Sequence, residues 1–439
     1  MELRYKAPRG TQDAVPDRAA AFRGVELTML GVAGCYGFRE VRTPVFEHTE
    51  LFDRSVGETT DVVQKEMYTF TDNGGRSVTL RPEGTAGAVR MFLEHGLFNE
   101  PTPQKYAYVT SCYRYEKPQA GRLREFHQFG VECFGAADPL ADAEVICLAQ
   151  ELFDTLGITG LTLRINSIGC PTCRKAYQDA LREYFGARKD ELCETCRGRL
   201  DRNPMRILDC KSPVCHAIAE KAPVILDFLC DDCRGHFDRV KQALDDYDLP
   251  YEVDPTIVRG LDYYTRTVFE FVSDSIGAQG TVCGGGRYDG LVKELEGPDT
   301  PALGFAVGLE RLLMLMEAQG VSLPADDPVQ LVLIAQTPEA RRLTATLARD
   351  VRLSGCACLF DTVGRSVKAQ MKYANKIGAQ YTCVVGESEM AEGSVTIKEM
   401  STGATETLPL EGFAEAFAEY AMRRVVEAFG ENMQLPDGQ

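Results

Sequence analysis

The sequence predicts an α+β chain. A mainly antiparallel sheet with flanking helices is interrupted by a cysteine-rich insertion and followed by a separate small α/β domain. Three observations carry this reading. Residues 105–134 form two alternating segments around a polar loop containing Pro118 and Gly121, the pattern of a long antiparallel hairpin. Eight of the sixteen cysteines fall between Cys170 and Cys233. After residues 321–328, which carry two prolines and no apolar periodicity, strand and helix patterns alternate at short spacing, predicting a largely parallel sheet.

The elements follow in order. Phe22, Val25, Met29, Val32 and Ala33 recur at helical spacing, and Gly34 and Gly37 end that helix. Residues 38–46 read as a strand interrupted by Pro44. Within the cysteine-rich segment, residues 176–185 and 237–247 read as helices, and strand character returns at 267–272. Gly284, Gly285 and Gly286 read as a turn or bulge, and residues 309–318 as a helix. The last domain predicts strands at 329–335, 357–360 and 381–385, and helices at 338–355 and 366–378. From Glu411 onward six acids face two bases, predicting an outer helix and a disordered tip.

Composition narrows the class. Across 439 residues, 48 Lys and Arg stand against 65 Asp and Glu, a formal charge of −17, so the mean field repels polyanions. Positive charge is nevertheless concentrated in two places. Residues 105–128 carry five bases against two acids, and 364–378 carry Arg365, Lys368, Lys372 and Lys376 with no acid. No apolar run approaches a membrane span, and the charged opening residues are unlike a secretory signal. The cysteines therefore read as reduced thiols or metal ligands of a cytoplasmic protein.

Several side chains are placed to do chemistry. Arg114 and Glu116, two apart, are expected on one strand face, as are Gln128 and Glu132, four apart. The hairpin loop adds Lys117, Gln119, Arg122 and Arg124. No Gly-Lys-Ser/Thr occurs, which excludes a Walker-type phosphate loop. Four cysteine pairs stand in the insertion: Cys170/Cys173, Cys193/Cys196, Cys210/Cys215 and Cys230/Cys233. The first two pairs lie nineteen residues apart, the spacing of a four-thiolate zinc site. One site is expected ahead of two, with His216 and His236 as substitute ligands; the alternative is thiols packed as small hydrophobes.

Residues 113–132, Tyr-Arg-Tyr-Glu-Lys-Pro-Gln-Ala-Gly-Arg-Leu-Arg-Glu-Phe-His-Gln-Phe-Gly-Val-Glu, resemble motif 2 of the class II aminoacyl-tRNA synthetases. Leu303-Gly-Phe-Ala-Val-Gly-Leu-Glu-Arg-Leu312 resembles motif 3, and the first helix with the strand ending at Pro44 resembles motif 1. Val258-Arg-Gly-Leu-Asp-Tyr-Tyr-Thr265 and Gly284-Gly-Gly-Arg-Tyr-Asp-Gly-Leu291 are similar to two peptides peculiar to the histidyl-tRNA synthetases. Pro8-Arg-Gly-Thr-Gln-Asp13 and Leu80-Arg-Pro-Glu-Gly-Thr-Ala-Gly87 match as well, so the resemblance runs through nearly the whole chain.

The resemblance implies a class II catalytic domain in residues 1–166 and 255–325, a largely helical insertion at 167–254 lying over the tRNA acceptor arm, an anticodon-binding domain at 329–425, and a tail at 426–439. It implies activation of L-histidine by ATP with Mg2+, transfer to tRNA(His), and a homodimer built on motif 1. It assigns Arg114 and Arg259 to the α-phosphate and substrate carboxylate. Arg311 falls to the nucleotide, and Phe126 and Glu116 to the adenine. Glu83, Gly84, Thr85 and Gln128 are assigned to the amino-acid backbone groups, and Glu132, Tyr263, Tyr264 and Tyr288 to the imidazole. Lys117, Gln119, Arg122, Arg124, Arg365, Lys368 and Lys372 are expected on tRNA, and the glycine cluster is expected to let backbone approach the substrate. The competing reading is a non-charging paralogue that binds histidine and regulates its biosynthesis. Such paralogues generally lack the C-terminal domain, which this chain keeps.

Overall fold

Val25, Met29 and Ala33 repeat every four residues, which places them on one helical face. In the computed structural model of the chain, which describes residues 4–57, 60, 62–208, 210, 212–257, 261–276 and 280–432, they lie buried along the helix Pro16–Cys35. Pro16 suits the first turn because its missing N–H has no partner there to lose. Gly37, at φ +81°, turns the chain out of the helix.

The chain divides into two compact units, Met1–Ala325 and Asp326–Gln439. In the first, eight strands make one sheet in the order Arg39–Glu40, Gln104–Tyr113, Glu125–Phe134, Ala302–Gly308, Thr281–Arg287, Thr265–Val272, Thr162–Ser167, Glu252–Val253. Only the two outermost pairings are parallel. The helices Pro16–Cys35, Pro139–Thr155, Asp231–Asp246 and Leu309–Ala318 contribute to one core against this sheet, with Val25, Ile146, Val240 and Leu312 fully buried. Strand alternation does the sorting. Phe129, Val131 and Cys133 enter that core, so Phe126, Gln128 and Glu132 present the opposite face.

The β-rich run expected over 38–46 forms two separate short strands, Arg39–Glu40 and Phe46–His48, because Pro44 offers no N–H to continue the ladder. Phe46–His48 instead joins Ser77–Leu80 and Tyr68–Thr71 in a small antiparallel sheet. In the insertion, helices Pro171–Gly186, Glu194–Arg202 and Pro213–Ala219 gather around Tyr177, Leu181, Phe185, Leu200 and Cys215.

The second unit has a five-stranded sheet in the order Cys358–Phe360, Leu331–Ala335, Tyr381–Val385, Ser394–Glu399, Thr405–Pro409. It is mixed rather than largely parallel: the first three strands are parallel and the last two antiparallel. The six-residue helix Glu387–Glu392 is too short for a parallel crossover, so the chain returns alongside the strand it has just left. The outer helix forms as Phe413–Asn432 and so runs into the segment 426–439 expected as a tail, of which 433–439 lie outside the described residues. Among the described residues no helix is long and apolar enough to cross a membrane.

Candidate active site

The exposed face of the hairpin opens onto a cavity of about 500 Å³. Its wall includes Glu83, Thr85, Arg114, Glu116, Phe126, Gln128, Glu132, Tyr263, Tyr264, Tyr288 and Arg311 of the residues expected there. Arg259 lies outside the described residues. Phe126, Gln128 and Glu132 share a strand face, so six residues at about 3.4 Å each separate Phe126 from Glu132 by about 20 Å. The cavity wall is thus long enough to bind two joined groups in an extended pose.

Glu132 anchors one stretch of the wall. Tyr108 donates to its Oε1 at 2.9 Å, and Tyr288 donates to its Oε2. Burial pushes the Glu132 carboxyl up to about 8, although hydrogen bonds from Tyr288, Thr85 and Tyr108 pull the other way. Tyr263 packs at a tilt against Tyr264 and edge-on to Tyr288, with ring centres 4.7 and 5.5 Å away.

Tyr108 was not among the residues that the sequence singled out, yet three glycines make room for it and its partner. A Cβ on Gly84 or Gly130 would lie 2.2 or 2.4 Å from the Tyr108 ring, and one on Gly304 would lie 2.2 Å from Glu132 Oε2. Gly84 therefore serves the pocket through Tyr108. The sequence signal was the register itself, in which Tyr108 pairs directly with Gly130. Glu83 has both oxygens engaged, accepting from Thr85 N at 2.7 Å and Ala86 N at 2.8 Å at the start of the helix Thr85–Glu94. Gln128 Oε1 accepts from Cys112 Sγ at 3.2 Å.

Arginines collect at the hairpin loop. Arg114 and Glu116 do not project from the strand as expected, because pairing ends at Tyr113–Glu125 and both residues lie beyond it. They remain close, Nη1 to Oε1 at 3.9 Å, and Arg114 Nε donates to Pro82 O at 2.8 Å. The Arg114 guanidinium lies 5.3 Å from the Phe126 ring centre. Arg122, expected on tRNA, also lines the cavity and pairs with Glu116. Burial disfavours the charge of Arg122, and so does Arg114; Arg311 is held down by burial and by Arg122. Arg114, Arg122 and Arg311 thus crowd positive charge onto one wall, the arrangement that an anion relieves.

Of the other loop residues, Lys117 and Gln119 are exposed, whereas Arg124 is held inward over Tyr115, 3.9 Å from its ring centre. Glu310, which sequence reading passed over, lines the cavity and accepts from His127 N at 3.0 Å while its Oε1 stands 2.8 Å from His127 Nδ1. Of the glycine triplet, only Gly284 lines the cavity. Gly285 and Gly286 lie in the strand Thr281–Arg287, where a Cβ would strike Gly304 O at 2.4 Å and Thr267 O at 2.5 Å. The cluster is therefore not a turn but strand, with the bulge expected of it present as a register shift between Gly286 and Arg287, and it mainly lets strands approach. In the second unit, Lys368, Lys372 and Lys376 are exposed, while Arg365 is tied to Asp361 at 3.1 Å.

The cysteines group otherwise than expected. Cys170 and Cys173 meet Cys230 and Cys233, not Cys193 and Cys196, which meet Cys210 and Cys215. Two groups form where one was expected, because the helices between the pairs bring the first pair to the last. Neither histidine joins them. His236 is buried against Asp142 and Arg266, at 3.4 and 3.1 Å, and His216 faces Glu220 at 3.8 Å.

Comparison with known proteins sets this geometry in context. A family model described as histidyl-tRNA synthetase matches residues 10–184 and 216–312, and one described as anticodon binding domain matches 329–420. The chain is 52% identical to a histidine–tRNA ligase of Caldanaerobacter subterraneus, over 91% of this chain and 95% of that one. It is 50% identical to that of Natranaerobius thermophilus, over 95% and 99%. An apo histidyl-tRNA synthetase structure from S. aureus superposes with a TM-score of 0.81 at 39% identity, covering 94% of this chain and 99% of that one.

Proposed function

The chain belongs to the histidyl-tRNA synthetase family, and from that premise we propose how its own residues share the work. The reaction is ATP-dependent attachment of L-histidine to tRNA(His). A carboxylate oxygen of histidine attacks the α-phosphorus of ATP, the bond to the bridging oxygen breaks, and diphosphate leaves. A ribose hydroxyl at the 3′ end of the tRNA then attacks the acyl carbon, and AMP leaves.

The observation that carries the assignment is the dual character of the cavity. Arg114, Arg122 and Arg311 offer persistent positive charge to phosphate oxygens, while Glu132 with Tyr108 and Tyr288 forms a buried polar pocket. Arg114 and Arg259 act on the α-phosphate and substrate carboxylate, and Arg311 on the outer phosphates. Phe126 stacks on the adenine beside Glu116. Glu83, Thr85 and Gln128 receive the α-ammonium region, and Glu132, Tyr263, Tyr264 and Tyr288 the imidazole. A site whose buried groups are completed by two ring nitrogens rejects side chains that lack them.

Mg2+ accompanies ATP, and Glu310, beside Arg311 in the cavity wall, is the carboxylate that would hold it; it would neutralise developing phosphate charge. The thiols of the insertion are placed for a structural metal rather than a catalytic one. Exposed Lys117 and Gln119 suit the acceptor end of the tRNA, and Lys368 and Lys372 the anticodon arm, in a cytoplasmic, reducing setting. Exposed Val45 and Phe46, beside the motif 1 strand, support a homodimer. Histidine-dependent ATP–diphosphate exchange, run beside lysine and proline, tests the substrate assignment: exchange with histidine alone is expected, and exchange with either other amino acid at equal efficiency refutes it. Sedimentation as a monomer would refute the dimer.

A further inference from the structure

We propose that the insertion holds two separate structural zinc sites, each made of four thiolates: Cys170, Cys173, Cys230 and Cys233 in one, and Cys193, Cys196, Cys210 and Cys215 in the other. In each group the four sulfurs all lie within 4.8 Å of one another. Cys170 Sγ stands 3.5 Å from Cys173 Sγ, and Cys193 Sγ 3.8 Å from Cys210 Sγ. A tetrahedron with Zn–S bonds of about 2.3 Å has edges of about 3.8 Å. A disulfide would bring a pair to about 2.0 Å. The sulfurs are spaced for a shared ion and are too far apart to be bonded to each other.

The backbone around the two groups repeats one design. Cys170, Cys193 and Cys230 each stand at the N-cap of a helix, with Cys173, Cys196 and Cys233 in its first turn. Helix N-termini favour negative charge, which is what a thiolate ligand brings. Each group also has a cross-bond between its two pairs. Cys230 N donates to Cys173 Sγ at 3.1 Å, and Cys193 N donates to Cys215 Sγ at 3.3 Å. In both cases the first cysteine of one pair donates to the second cysteine of the other. Backbone donors aimed at sulfur offset charge that four thiolates leave on a divalent ion. Soft sulfur ligands in closed tetrahedral sets select zinc among the common divalent ions.

The nesting gives the sites different tasks. The outer site joins the start of helix Pro171–Gly186, which follows the core strand Thr162–Ser167, to the start of helix Asp231–Asp246, whose Phe237 and Val240 enter the main core. It therefore clamps the foot of the insertion to the catalytic unit. Apart from its own cysteines, the apolar cluster at that foot buries, among the described residues, only Leu229, too little to hold the junction unaided. The inner site closes the short segment from Cys193 to Cys215, all of which falls in residues 185–215, outside the stretches that the family model matches. This reading does not depend on the assignment of histidine activation.

The full-length chain, purified without a metal-binding tag, should carry two zinc ions per chain by inductively coupled plasma mass spectrometry. X-ray absorption at the zinc edge should show four sulfurs at about 2.3 Å. Cys170→Ser with Cys173→Ser should leave half the metal, as should Cys193→Ser with Cys196→Ser. Should either variant fail to fold, the wild-type stoichiometry and absorption spectrum still decide. Metal-free wild-type protein that gains no thermal stability on adding zinc overturns the proposal. One ion per chain overturns the two-site assignment, and iron at either group overturns the choice of metal.

Discussion

Replacing Glu132 by glutamine should raise stability and impair the use of histidine, and both effects can be worked from one buried carboxyl. Burial, against the pull of its hydrogen bonds, lifts it from 4.5 to about 8 in the folded protein. Between those values the folded state binds a proton that the unfolded state has released, so stability falls as pH rises through this window. At about 1.4 kcal/mol per pH unit, the penalty is about 1 kcal/mol at pH 5, about 3 at pH 7 and nearly 5 above pH 8. Glutamine has no proton to lose and can still bond Tyr108 and Tyr288, so Glu132→Gln should be more stable than wild type by these amounts. Urea unfolding of the apo protein at the three pH values, comparing the transition of the Met1–Ala325 unit, measures this. The same variant should raise the KM for histidine about 10- to 100-fold, for a charged hydrogen bond worth about 1.5–3 kcal/mol, and leave the KM for ATP nearly unchanged. An identical pH slope of stability in both proteins would refute the burial argument, and an unchanged KM for histidine would refute the recognition argument.

Arg114→Lys keeps the charge but loses the planar fork, and should slow histidyl-adenylate formation by about 100-fold or more in single-turnover experiments, with histidine binding largely retained. Gly130→Ala forces a Cβ against the Tyr108 ring, and should cost about 1–3 kcal/mol and weaken histidine-dependent exchange; full activity would show that Tyr108 does not need its place. Lys368→Glu with Lys372→Glu should raise the KM for tRNA about tenfold while ATP–diphosphate exchange stays at the wild-type rate, and equal loss in both assays would count against a tRNA role.

Much of the fold was legible because its signals are local. The helix Leu309–Ala318 and the strand Tyr381–Val385 were placed to the residue, since apolar period and flanking turns agree there. The hairpin strands were readable for the same reason. The mixed second sheet was not, because the direction of the strand Ser394–Glu399 depends on how long its preceding connection is. The resemblance gathered about half of the cavity wall, but it could not show which groups already bond each other. Arg122 reads as an outward base by charge alone, and only the folded loop turns it onto Glu116. The cysteine partners were likewise hidden: spacing shows that pairs exist, while the path of the intervening helices decides which pairs meet.

The raised carboxyl also dictates how histidine binding should vary with pH. Free imidazole titrates near pH 6.5, and Glu132 in the empty pocket near 8. Between these values the free amino acid has a neutral ring and the pocket holds one proton. A complex of imidazole with protonated carboxyl, or of imidazolium with carboxylate, contains that same single proton. Binding in this window therefore exchanges no proton with solvent. Below it, histidine must shed a proton to fit. Above it, the pocket must regain one. Affinity should be greatest between about pH 6.5 and 8 and decline by up to tenfold per unit on either side. Calorimetry in buffers of different ionisation enthalpy should give equal heats near pH 7.2 and unequal heats at pH 9. In Glu132→Gln the limb that sets in near pH 8 should vanish, while the acid limb and the loss of the α-ammonium at higher pH, which both belong to the ligand, persist. A limb setting in near pH 8 that survives the substitution would assign that titration to another group and separate the histidine pocket from Glu132.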